Sequence, residues 1–154
     1  VIIRGEDIII KTISRVLVPF IQLYALYVIM HGHYSPGGGF QGGVILGASM
    51  VLLFITHGYA EVNRKFSENI AVLFSSIGVL IYSGIGFLCL LLLGNYLDYS
   101  KLYKILSVDP AHARSLGILG VEIGVGFAVM AVMFSIFFDI STGGVSPDDE
   151  EEAE

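Results

Sequence analysis

Charge is what this sequence has least of. Only 14% of its 154 residues are Asp, Glu, Lys or Arg, against about 25% in soluble domains. Residues 70–93 carry none at all. That scarcity excludes an ordinary soluble enzyme. Cysteine is almost missing too. Cys89 stands alone, so the chain forms no internal disulfide, builds no cysteine-based zinc site and holds no iron–sulfur cluster of its own. Prolines number four against 19 glycines with no G-X-Y period, which excludes collagen-like and disordered tracts. A basic patch is absent. Six of the 14 acids crowd into residues 148–154, and the remaining eight are matched by eight bases, so nucleic acid is not the partner. No G-x-S-x-G elbow, P-loop or HExxH motif occurs. Catalysis has no visible home in this chain, so no enzyme is expected.

What is present is apolar length. The mean hydropathy is +0.79, and four stretches carry it, at about 12–31, 43–58, 70–94 and 115–140. A spanning helix needs about 20 mostly apolar residues. The first, third and fourth stretches meet that, and the second does so if it starts inside the glycine-rich run before it. A soluble bundle would need a polar face on each helix, which the third stretch lacks. The first stretch follows Arg4, Glu6, Asp7, Lys11 and Arg15 without a small-residue cleavage site, so it reads as a span and not as a cleaved leader. The expected fold is an all-α integral membrane protein, a bundle of four transmembrane helices with a glycine-rich connection between helices 1 and 2. Residues 1–11 form a polar segment, 12–141 the membrane domain and 142–154 an acidic tail. Arg4, Lys11, Arg15, Arg64 and Lys65 fall on one side of such a topology, and Lys101, Lys104 and Arg114 on the other. The positive-inside rule then places both termini in the cytoplasm of a multi-pass cell-membrane protein.

The spans show small or polar stripes at helical spacing. Tyr24, Tyr27 and His31 share a face of the first, and Gly43 and Gly47 lie on one face of the second. Gly78 aligns with Ser75, Tyr82 and Gly86 in the third, and Gly117, Gly120 and Gly124 align in the fourth. Small residues let helix backbones approach closely in lipid, where no hydrophobic drive holds helices together. Glu122 is the sole ionisable acid or base well inside a span. A charge at the bilayer centre costs at least about 2.5–3.5 kcal/mol, so such a group seldom faces lipid. At about 100° per residue it sits opposite the Gly117/Gly120/Gly124 stripe. The fourth span therefore needs protein or water on two opposite sides, more than four helices are expected to supply, which favours a subunit embedded among others. Three roles stay open for Glu122: proton carrier, cation ligand, or structural carboxyl.

The segment from His31 to Gly43, HGHYSPGGGFQGG, is the most unusual. Pro36 starts a turn, and the glycines permit positive φ and close backbone approach. A tight or partly re-entrant connection is expected, tolerated at membrane depth where protein or water satisfies its polar groups. Gly37-x-Gly39-x-x-Gly42 formally matches a dinucleotide fingerprint, but no strand precedes it. His31 and His33 lack further ligands at metal spacing, so no metal site is expected. The two histidines fit better near a proton route.

The run Gly32-His33-Tyr34-Ser35-Pro36-Gly37-Gly38-Gly39-Phe40-Gln41-Gly42-Gly43, directly after an aromatic-rich span, resembles the hallmark of the MnhB/MrpB family. The likeness extends over about residues 12–141, including Gly120-Val121-Glu122-Ile123-Gly124. The resemblance implies a small membrane subunit of a multisubunit Mrp-type Na+/H+ antiporter. Its partners would be other antiporter subunits in the lipid bilayer, free-standing or joined to hydrogenase or sulfane reductase subunits. It implies no bound cofactor, only Na+ or H+ as transported ions. Within that frame Glu122, His31 and His33 are the candidates for an ion path. The alternatives are a purely structural assembly subunit and a solitary ion channel.

Overall fold

The computed structural model describes residues 8–34, 37–58, 61–62 and 66–143. Four long helices account for most of them: α1 (Ile8–Met30), α2 (Gly38–His57), α3 (Glu68–Leu91) and α5 (Pro110–Thr142). A 3-10 turn (Tyr99–Leu102) and the one-turn helix α4 (Tyr103–Leu106) connect α3 to α5. All four long helices are long and apolar enough to cross a membrane. Their outward faces agree, with Leu80 72% and Ile140 77% exposed. Such surfaces cover themselves with lipid or with other protein. Pro36, Arg64, Lys65, most of the polar N-terminal segment and the acidic tail lie outside the described residues.

The helices are arrayed in the order α1, α2, α5, α3, with α5 between α2 and α3. α5 begins where Asp109 accepts a 3.1 Å hydrogen bond from the Ala111 amide and Pro110 takes the first helical position, a residue pair suited to a helix start. It ends at Gly143 in the left-handed region, φ 71°. Its 33 residues span about 50 Å by helical rise, more than a bilayer core of about 30 Å.

Close backbone approach sets the packing. A Cβ on Gly78 of α3 would lie 2.5 Å from the Gly124 carbonyl oxygen, and one on Gly124 2.9 Å from that of Gly78. On the other side of α5, a Cβ on Gly43 would lie 2.7 Å from the Gly126 carbonyl oxygen. Gly47 abuts Met133, and Gly117 abuts Tyr99 and Leu102. The small-residue stripes are thus engaged within the chain. Between them Ala25, Ile29, Leu46 and Met130 knit α1, α2 and α5 together. Phe66 and Phe134 meet edge to face at 5.1 Å, as do Phe54 and Phe137 at 5.2 Å.

Two expectations need correction. The second helix starts at Gly38, five residues before the expected 43. Glycine is a poor helix former, but Gly38, Gly39, Gly42 and Gly43 are all buried, and the contacts their lack of a side chain allows offset the propensity. Only the first half of the glycine-rich run is connection. The second correction concerns α5. Its two opposite sides are both covered by this chain itself, α3 on one and α2 with the α1–α2 turn on the other. The geometry of α5 alone therefore does not require neighbouring subunits.

Candidate functional site

Glu122 sits on the side of α5 that faces the α1–α2 turn. A Cβ at Gly38 would lie 2.6 Å from its Oε1, and one at Gly32 would lie 2.5 Å from its Cδ. Gly39 presses on the backbone of the same residue, where a Cβ would stand 2.8 Å from the Glu122 Cα. The carboxyl is held between two glycines, and a third sets its backbone. Gly37 and Gly38 adopt φ of 129° and 42°, conformations that favour glycine, so the turn needs glycine for its path as well as for its clearance.

The turn brings a helix end to the carboxyl. The first helical hydrogen bond of α2 runs from the Gln41 amide to the Gly37 carbonyl at 3.1 Å, and no side chain caps the helix. The amides ahead of Gln41 therefore have no intrahelical acceptor. They carry the partial positive charge of a helix N-terminus, and Glu122 lies beside the first of them. The Gln41 side chain folds back against Gly37.

His33 is the electrostatic neighbour of this carboxyl. Its Nδ1 and the Glu122 Oε2 are both buried, and neither has a hydrogen-bond partner among the described residues. Each such orphan costs about 1–3 kcal/mol. Outside the spans, Tyr99 lies within electrostatic reach of Glu122, with Tyr82 and Tyr96 around it. Burial pushes the Tyr99 phenol up, and these neighbours add to the shift.

His31 lies apart from this group. It is exposed, stacks on Tyr27 at 4.2 Å and places its Nδ1 3.3 Å from the Tyr27 carbonyl oxygen. Tyr24 continues the outward strip at 6.4 Å from Tyr27. Of the two histidines, His33 is the one within electrostatic reach of Glu122. Phe40 is exposed, and Gly42 packs on Ala25 and Ile29 of α1. Gly120 meets only the Ile85 Cδ1. Among the described residues no group of three His, Cys, Asp or Glu could hold a metal ion. Tyr99 escaped the sequence reading because it lies on a connection and only the fold returns it to α5.

Depth follows from helical rise. Arg15, His57 and Glu61 gather at one end of the bundle, near the level of Phe138 and Asp139 of α5. Glu122 is 17 residues from Asp139, about 25 Å along the helix. In a core of about 30 Å it lies a few ångströms beneath the opposite boundary. α5 continues another 12 residues past Glu122, about 18 Å, whereas α1 and α2 turn back at its level. The carboxyl therefore sits in a recess beside the taller α3–α5 pair.

A family model described as a domain related to the MnhB subunit of Na+/H+ antiporter matches residues 9–135. Chains named antiporter subunit mnhB2 from the Staphylococcus aureus strains Newman, JH1 and USA300 are each 25% identical over 141 residues. The match covers 91% of this chain and 98% of each relative.

Proposed function

This chain belongs to the MnhB family, and from that membership we propose that it is a non-catalytic membrane subunit of an Na+/H+ antiporter module that contributes an ionisable site to the ion path. The observation that carries the second half is the Glu122 carboxyl, seated between Gly32 and Gly38 at the N-terminus of α2 with His33 beside it. Two buried polar atoms without partners among the described residues, on side chains within electrostatic reach of each other, suit a group that accepts and releases an ion. A proton can pass between imidazole and carboxylate. Na+, a hard cation, can use the carboxylate oxygens with backbone carbonyls. The helix end supports the anionic carboxylate when the ion leaves. With both termini in the cytoplasm, the recess opens to the outer surface, and ions reach Glu122 from there.

The partners in this reading are other antiporter subunits, in a free-standing antiporter or one joined to hydrogenase or sulfane reductase subunits. Gentle-detergent purification through a tag on this chain distinguishes them, because only the joined assembly brings nickel- or iron–sulfur-containing proteins. The ion-path role is tested by Glu122→Gln, which keeps shape while removing titration. Antiport in vesicles should fall by on the order of tenfold or more, equal to at least about 1.4 kcal/mol, with the complex still assembled. A wild-type rate and sodium dependence in an assembled complex would leave the chain a structural subunit, with Glu122 simply locking the turn.

A further inference from the structure

At the end of the bundle opposite Glu122 lies a cavity of about 460 Å³ between α1, the C-terminal half of α2 and the residues Glu61, Val62 and Phe66. Its lining is divided by chemistry. Arg15, His57 and Glu61 supply charge or hydrogen bonding at one level and Gln22 a single amide deeper in, while Val18, Met50, Leu53 and Phe66 supply apolar wall. The volume is typical of a small-molecule site, and so is the pairing of apolar walls with a few polar groups. Antiport as proposed above uses none of these residues.

The level of the cavity selects its occupant. Arg15, His57 and Glu61 occur where the apolar lengths of α2 and α3 end, the height of a headgroup layer. Below them the walls run toward the bilayer core. Thr56 donates its one hydroxyl proton to the Leu52 carbonyl at 2.8 Å. A 2.9 Å contact between Thr56 Oγ1 and His57 Nδ1 holds the imidazole at this level. The Arg15 guanidinium binds phosphate oxygens well, and an imidazole N–H donates to the same kind of oxygen. Pro19, also in the wall, has no N–H, so the Arg15 carbonyl lacks its helical donor and offers an acceptor at the same height.

We propose that this cavity is a phospholipid site, with the phosphodiester at Arg15 and His57 and an acyl chain against Val18, Met50, Leu53 and Phe66. A lipid here wedges between α1 and α2 at the end where these helices are not held by the glycine contacts.

The test uses the intact complex in native-lipid nanodiscs and a phosphatidylethanolamine probe with a diazirine in its acyl chain. Photolysis should place adducts on the peptide carrying Met50 and Leu53, and unlabelled phosphatidylethanolamine should compete severalfold better than diacylglycerol, which lacks the phosphate. Arg15→Ala, at an exposed position, should reduce that labelling by about fivefold or more, and Leu53→Trp, which fills the cavity, should abolish it. Labelling of Leu80 on the exposed side of α3 should stay unchanged in both. Equal competition by the two lipids would overturn the phosphate assignment. Labelling at Met50 and Leu53 that survives both substitutions, or protein–protein crosslinks from these positions to a neighbouring subunit in place of lipid adducts, would overturn the site.

Discussion

α5 meets neighbours through glycine on two sides, and the two contacts do different work. Toward α3, Gly78 and Gly124 oppose each other so closely that a Cβ on either would enter the other's carbonyl. Backbone carbonyls meet there with the Ala128 and Ile81 side chains beside them, and the product is helix packing by dispersion. Toward the α1–α2 turn, the glycines belong to the turn, and what they accommodate is a carboxyl. Gly32 and Gly38 leave room for the Glu122 side chain, and Gly39 lets its backbone approach. One residue type thus closes a helix pair on one face and admits an ionisable group beneath a helix end on the other. Damage to the first face should be read in folding, and damage to the second in ion exchange.

The largest effect belongs to the packing face. Gly124→Leu drives a branched side chain into α3 where even a Cβ has no room. Overpacking of a tight core costs about 1–3 kcal/mol or more, and the Gly78 carbonyl and the branched Ile81 side chain both stand in the way, so little folded chain should reach the complex on native gels. Gly39→Ala comes next and bridges the two faces. Its Cβ meets the Glu122 backbone, so thermal stability and antiport should both fall, the latter by about tenfold. Loss of stability with unchanged antiport would separate Glu122 from the turn. His33→Gln should leave assembly intact and lower antiport by severalfold, with a changed pH profile, because it removes the imidazole that acts electrostatically on the carboxyl. The smallest effect is Gly120→Ala. Its Cβ meets only the flexible end of Ile85 at 2.8 Å, so melting should shift within about 0.5 kcal/mol and antiport should match wild type. A large effect there would mean that the α3 face tolerates less than its geometry shows.

The sequence made much of this legible. Apolar length gave four spans, and the scarcity of internal charge singled out Glu122. The angular argument put Glu122 opposite the Gly117/Gly120/Gly124 stripe, and α3 and the turn do occupy those two sides. What it did not give was the meeting of Glu122 with Gly32, Gly38 and Gly39. A helix-face angle gives a direction and not the neighbour found there, and about 80 residues separate the two. That α2 begins inside the glycine-rich run followed from the length a span needs, but its first residue did not, because glycine's poor intrinsic propensity leaves no local signal and the burial that offsets it is tertiary. His31 and His33 looked equivalent two residues apart. One ends the outward Tyr24–Tyr27 strip and the other lies past the helix terminus, where the turn swings it inward.

The central claim is that the Glu122 carboxyl exchanges an ion beneath the α1–α2 turn. Infrared difference spectroscopy on the assembled complex tests it most directly, with Na+ added and removed at fixed pH. Wild type should show a carboxyl band that responds to Na+, and Glu122→Gln should lose that band while the amide bands stay the same. An identical set of carboxyl bands in both proteins would contradict the claim and leave Glu122 a structural group.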